Sequence, residues 1–333
     1  MTRRRRMSLL AACVCGVPLL CAGDTPRSRA ATGPEAPPPG YQSMTAIKLA
    51  VLSGQLKLID RNVAVPATVS VRRDIEYGTG GGESLKLDLY SPKRLVRPVP
   101  GLIFIHGGAW KKGKRSDYHY YCVKFAERGY VVATITYRLL PKYPFPAAVE
   151  DAKCAVRWMR SHADTLHVNP KRIGVIGGSA GGHLSLMVGY SADVPKLEGK
   201  GGHPGVSSRV QAVVDLYGPT DLTTPFAVNN PTAIRFFGGR KIAEARKQYE
   251  MASPILHVTK DDPPTLIFHG TIDETVPVVQ SDMLAKKLRS AGVPVQYDRL
   301  KGWPHTMDAA EVVNRHCRRR MVRFFDKYLP LPQ

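Results

Sequence analysis

The run Arg172-Ile-Gly-Val-Ile-Gly177-Gly-Ser179-Ala-Gly181-Gly-His183 carries one serine framed by glycines at Gly177 and Gly181. An apolar stretch precedes it, and Leu184-Ser-Leu-Met continues at helical spacing. G-x-S-x-G between a strand and a helix predicts a tight turn that projects Ser179 Oγ from the end of a sheet. Side chains at Gly177 or Gly181 would crowd neighbouring backbone in such a turn. A helix opening just after Ser179 would aim its first amides at developing negative charge. A dinucleotide-binding loop would want G-x-G-x-x-G, which Gly177, Gly178, Gly181 and Gly182 do not supply.

A serine hydroxyl at neutral pH needs an imidazole held by a carboxylate. After an elbow of this kind the acid comes next in the chain, and the histidine last. Of the histidines beyond Ser179, His305 lies in Lys301-Gly-Trp-Pro-His305, a turn leaving the strand candidate 295–300. His269 lies within a strand candidate, His316 on a helical pattern and His257 in an irregular stretch. Asp273 follows Gly270 at the end of Thr265-Leu-Ile-Phe-His269, where it would emerge at the same edge as Ser179 and His305. Glu274 and Asp221 remain as alternatives, while Asp308 reads as a helix cap. Upstream, Gly101-Leu-Ile-Phe-Ile-His106 runs into Gly107-Gly108-Ala109-Trp110. The two small residues Gly107 and Gly108 would expose backbone N–H groups that, with the amide of Ala180, could cradle a tetrahedral oxyanion, roughly 3–4 kcal/mol per donor. His106 is expected to brace this loop, and Trp110 to shape substrate binding.

These groups need a scaffold that brings distant loops to one edge. Val71–Tyr77 and Leu85–Tyr90, parted by a glycine run, suggest an antiparallel hairpin. Strand candidates Gly101–His106, Val131–Tyr137, Arg172–Gly177, Val210–Tyr217, Pro264–His269 and Val295–Leu300 follow. They alternate with helical spacing around 118–128, 146–162, 180–191, 278–291 and 309–328. The fold class is therefore α/β, a mostly parallel sheet with helices on both faces. The simplest partition puts one catalytic domain at 69–330, with 219–256 as an insertion over the sheet's carboxyl edge. Residues 24–68 read as a Pro-rich tether, disordered over 24–40, and an N-terminal segment holding a short helix within 43–60.

Arg3–Arg6 and the apolar Ser8–Leu20 read as a signal peptide over residues 1–23, of Sec type with Tat export possible. Secretion or a periplasmic address is the expectation, with no stable membrane insertion after cleavage. The formal net charge of +21 falls to about +17 without that segment. Such a field steers toward acidic partners but says nothing about chemistry. The cluster Arg315, Arg318, Arg319, Arg320 and Arg323 reads as a solvated helix face, and no nucleic-acid motif accompanies it. Cys122, Cys154 and Cys317 would remain in the mature chain, read as buried and inert.

The ordered set His106-Gly-Gly-Ala-Trp110, Tyr137-Arg138, Phe145-Pro-Ala-Ala-Val-Glu-Asp151, Gly177–Gly182, Asp221, His269-Gly-Thr-Ile-Asp273 and His305 resembles the hormone-sensitive-lipase-like esterases of the α/β-hydrolase superfamily. It is most similar to their bacterial acetyl-xylan and feruloyl carbohydrate-esterase branch, over about residues 70–330. The resemblance implies an eight-stranded sheet and a Ser179–Asp273–His305 triad. It also implies oxyanion donors at Gly108, Ala109 and Ala180, a small-molecule or polysaccharide ester substrate, and no metal or organic cofactor. Ala109 stands where many relatives have a third glycine, so a β-carbon and the Trp110 indole shape the acyl pocket. Both a small acyl and a planar aromatic acyl are compatible with that. A peptidase or arylformamidase on the same fold is the alternative enzyme, and a non-catalytic glycan-binding module the alternative class.

Overall fold

The computed structural model describes residues 36–332. The signal-peptide segment lies outside the described residues. Among the described residues no helix is long and apolar enough to cross a membrane.

Among the described residues eight strands form one sheet: β1 (Val69–Gly80), β2 (Glu83–Pro92), β3 (Val99–Ile105), β4 (Val131–Ile135), β5 (Val168–Gly178), β6 (Ala212–Leu216), β7 (Thr265–Gly270) and β8 (Val295–Leu300). Their order is β1-β2-β4-β3-β5-β6-β7-β8. β1 and β2 are the antiparallel hairpin, β2 pairs antiparallel with β4, and the remaining pairs are parallel. Every residue of β3, β4, β6 and β7 is buried. Such near-continuous apolar runs are what a sheet covered on both faces requires.

Among the described residues ten α-helices accompany the strands: α1 (Met44–Leu52), α2 (His119–Arg128), α3 (Ala147–Ser161), α4 (Ala163–Leu166), α5 (Ala180–Tyr190), α6 (Pro225–Val228), α7 (Pro231–Phe236), α8 (Ile242–Met251), α9 (Val279–Ser290) and α10 (Glu311–Tyr328). Successive β3 side chains point to opposite faces. Ile103 and Ile105 share one core with Val149, Ala152 and Val156 of α3 and Leu184 of α5, while Leu102 and Phe104 share another with residues of α2 and α10. Each face thus has its own core.

Two N-terminal expectations need correction. The compact unit begins at Pro37 rather than at residue 69. Ile47 and Ala50 of α1 and Leu56 join the core beneath α10, and Ile59 N–H donates to Ala309 O at 2.9 Å. The tether's last residues are also ordered against the fold. Pro38 O accepts the Trp303 indole N–H at 3.0 Å, and Tyr41 N–H donates to Gly302 O at 2.9 Å. Apolar burial of Trp303 together with these bonds overrides the local proline-rich composition.

The basic C-terminal face is likewise only partly solvated. Arg320 turns inward and binds Asp298 through Nε at 2.9 Å and Nη2 at 3.0 Å. Asp298 alternates inward on β8, where it also takes the His316 Nε2–H at 2.8 Å.

Candidate active site

Ser179 sits between β5 and α5 with φ 57° and ψ −122°. A non-glycine residue holds such backbone only when its surroundings fix it. Ser179 N–H donates to Leu216 O at 2.9 Å, and its carbonyl accepts His183 N–H at 3.0 Å. The flanking glycines are obligatory. A β-carbon on Gly177 would strike the carbonyl of Gly181, and one on Gly181 would strike that of Ile105.

His305 arrives on the turn after β8. Its Nε2 accepts the Ser179 Oγ–H at 2.9 Å, and its Nδ1–H donates to Asp273 Oδ2 at 2.6 Å. Asp273 follows β7, and its Oδ1 accepts the amides of Thr275 and Val276, each at 2.8 Å. A second imidazole approaches the same carboxylate: His269 Nε2 lies 3.2 Å from Oδ2 while also donating to Val276 O at 2.8 Å. Burial by itself would raise the Asp273 carboxyl. The hydrogen bonds from His269 and His305 and the His305 charge outweigh it and hold the group at about 2. A permanently ionised carboxylate keeps the proton on Nδ1 of His305 and leaves Nε2 as an acceptor facing Ser179.

The loop after β3 carries Gly108 and Ala109, beside the start of α5. Gly108, Ala109 and Trp110 all have positive φ, at 109°, 58° and 56°. Gly108 O ties the loop by accepting the amides of Lys111 and Lys112, both at 3.1 Å. His106 does brace it. Its ring stacks on Tyr137 at 4.3 Å, its Nδ1–H donates to Gly107 O at 2.8 Å, and burial lowers its pKa. Ala180 is the first residue of α5, so its amide belongs to the helix's unsatisfied N-terminal set.

Trp110 is buried, stacked on Phe236 at 4.3 Å, and donates its indole N–H to His183 Nδ1 at 3.3 Å. His183 in turn donates Nε2–H to Ala252 O at 2.7 Å, and burial pushes its pKa down to about 4. This neutral histidine couples the loop after β3 to the 219–256 stretch, which holds α6, α7 and α8.

Ser179 lies at the neck between two cavities. The smaller, about 100 Å³, is apolar and lined by Trp110, Leu222, Phe226, Ala233 and Val276. The larger, about 510 Å³, holds His305, Tyr118, Tyr121, Tyr217, Arg61 and Lys112. A still larger depression of about 770 Å³ at the β1–β2 turn contains neither Ser179 nor His305.

The rejected acids lie elsewhere. Glu274 is exposed, and Asp221 accepts from Thr223 in its own turn at 2.9 and 2.6 Å. Asp308 is not a helix cap: it accepts the Tyr217 and Tyr121 hydroxyls at 2.5 and 3.2 Å. Sequence reasoning missed the second contact of His269, the bridging role of His183, and Arg61 on the cleft wall. His269 could have been suspected from its place four residues before Asp273; Arg61 carries no local signal.

The BD-FAE family model matches residues 87–288, which include most of β2, all of β3 to β7 and the elbow. The chain belongs to the BD-FAE family. Within that family's fold, the α/β-hydrolase sheet described above, Ser179 occupies the strand-to-helix elbow. The chain is 34% identical over 256 residues to Esterase LipQ of Mycobacterium tuberculosis, covering 75% of this chain and 59% of that protein. It thus spans about three fifths of that relative's length. A truncated carbohydrate esterase from gut microbiota superposes with TM-score 0.67 at 27% identity, over 79% of this chain and 99% of that one. Apo Thermogutta terrifontis esterase 2 superposes with TM-score 0.70 at 26% identity, over 83% of this chain and all of that one. The same esterase superposes as well in propionate-bound and butyrate-bound forms.

Proposed function

We propose that this chain is an exported serine carboxylesterase that removes short acyl groups from esters, with a carbohydrate hydroxyl as its favoured alcohol. The observation that carries the reading is the continuous chain Ser179 Oγ–His305 Nε2, His305 Nδ1–Asp273 Oδ2, at 2.9 and 2.6 Å, placed at the neck between two unlike cavities. Relatives named esterases and carbohydrate esterase support it. Export rests on the N-terminal sequence alone.

Ser179 Oγ attacks the ester carbonyl as His305 Nε2 takes its proton. The carbonyl oxygen becomes an oxyanion facing the amides of Gly108, Ala109 and Ala180. On collapse the bond from carbonyl carbon to alkoxy oxygen breaks, and His305 Nε2–H protonates the departing alcohol. Water then attacks the acyl-enzyme, gives its proton to Nε2, and the acid leaves as Ser179 recovers its hydrogen.

Because His305 must reach the leaving oxygen, the alcohol lies on its side, in the larger cleft. The acyl group then occupies the apolar cavity beside Trp110. About 100 Å³ is some three water volumes at ~30 Å³ each, room for three or four heavy atoms. That favours acetyl to butyryl and disfavours a feruloyl acyl. The propionate-bound and butyrate-bound neighbours agree with it. The larger cleft is roomy at about 510 Å³ and polar enough at Arg61, Lys112 and Asp117 to accept a hydroxyl-rich alcohol such as a sugar.

Initial rates on 4-nitrophenyl acetate, butyrate and octanoate test this, with Ser179→Ala as control. Turnover of the short esters that vanishes in the mutant is expected. Turnover surviving the mutation, or a preference for octanoate, would overturn it.

A further inference from the structure

Two exposed cations line the larger cleft, Arg61 from outside the family-matched segment and Lys112 from within it. We propose that the cleft selects esters whose alcohol carries a carboxylate, with Arg61 as the specificity residue and Lys112 assisting. This rests on the esterase reading above and deepens it by naming the alcohol's class.

Arg61 belongs to the N-terminal stretch, 26 residues before the family match begins at residue 87. Its backbone is nevertheless fixed against the site. Ile59 N–H donates to Ala309 O at 2.9 Å, and Asn62 N–H to Asp60 Oδ1 at 2.8 Å. Leu58 bridges to Ala310, so this segment runs beside the loop that follows His305. Arg61 therefore lines the same cleft as Ser179 and His305. Lys112 lines the same cleft from the loop after β3, its amide held by Gly108 O at 3.1 Å. Both side chains are exposed, and among the described residues no ion pair joins either to a carboxylate.

The acids of the cleft are hydrogen-bonded elsewhere, although the Arg61 charge also acts on Asp308 without an ion pair. Asp117 Oδ2 accepts the backbone amide of Lys114 at 3.0 Å. Asp308 is buried under the hydroxyls of Tyr217 and Tyr121, and burial raises its carboxyl above the ordinary range. Of the other titratable groups, His305 is committed to Ser179 and Asp273, and burial keeps Tyr118, Tyr121 and Tyr217 protonated. Two unpaired cations thus line the leaving-group side, and an arginine fork matches a planar carboxylate. The chain's net positive charge would draw such substrates inward. The class that fits is a short-acyl ester of an acidic alcohol, such as an O-acylated uronic acid.

The test compares kcat/KM on 3-acetoxybenzoate with that on its uncharged methyl ester, in wild type, Arg61→Gln, Arg61→Glu and Arg61→Lys. Dividing anionic by neutral rates cancels the intrinsic reactivity of the acetate. The ratio should fall about three- to tenfold in Arg61→Gln, further in Arg61→Glu, and recover in Arg61→Lys. Raising salt should lower the wild-type ratio and move that of Arg61→Glu little. A ratio insensitive to both charge reversal and salt overturns the inference, while Ser179-dependent hydrolysis of the neutral ester leaves the esterase reading standing. If wild type hydrolyses neither ester in a Ser179-dependent way, both readings fall together.

Discussion

Replacing Asp273 by asparagine changes one atom in a buried network and should silence the enzyme without unfolding it. Asp273 Oδ1 accepts two backbone amides at 2.8 Å, so the asparagine carbonyl will keep that position. The amide NH2 is then forced to face His305 Nδ1, which now donates to Oδ2 at 2.6 Å. Two N–H groups cannot share that line, and the imidazole must shift its proton to Nε2. Ser179 then loses its base. A wrong-tautomer histidine of this kind costs on the order of 10⁴-fold in kcat, or ~5.5 kcal/mol of barrier. Stability should fall as well. The native carboxyl lies at about 2 against an ordinary 3.8. Being depressed in the folded state, it stabilises fully above about pH 4 and loses that effect as pH falls toward 2. The amount is about 2.5 kcal/mol. Steady-state rates on 4-nitrophenyl acetate, with urea unfolding at pH 7 and near pH 3, measure both effects. A mutant that keeps kcat within tenfold of wild type would refute the tautomer argument. A stability difference that persists undiminished at the lower pH would refute the linkage.

The acyl cavity is testable by size. Ala233→Phe should fill it and depress butyrate more than acetate, whereas Phe226→Ala should raise longer chains by about fourfold per added methylene; unchanged chain-length ratios would show that the acyl binds elsewhere. Away from the site, Arg138 grips the buried Asp151 through Nε and Nη2 at 2.9 and 2.7 Å. Removing it in Arg138→Ala should cost about 3–5 kcal/mol by urea unfolding, and Arg138→Lys should restore only part; a loss under 1 kcal/mol would contradict that.

How far the sequence revealed this site depends on which forces placed each group. The triad was legible because its members sit at strand ends, where an apolar run, a glycine break and a polar residue appear in one short stretch. β8 coincides with its expected bounds, and β3, β6 and β7 deviate only by a residue or two. The cavities were not legible. The smaller one takes walls from α6 and α7, whose placement depends on contacts such as Phe236 against Trp110, and the larger one takes Ile59 and Arg61 from the N-terminal stretch. The N-terminal stretch was misread for a similar reason. Proline-rich composition predicts a free tether, but Trp303 and the backbone of Gly302 capture its end. His269 looked like ordinary strand interior, and only the return of the chain through Asp273 and Val276 makes it a second partner of the acid.

The central claim is that Ser179 carries the acyl group, and trapping that intermediate tests it most directly. Wild-type enzyme mixed with 4-nitrophenyl butyrate should be quenched in acid during the first turnover, digested with trypsin and weighed by mass spectrometry. The peptide Ile173–Lys196 should carry one butyryl group on Ser179, and the Ser179→Ala protein should carry none. Turnover without any adduct on that peptide, or an adduct on another residue, would contradict the account.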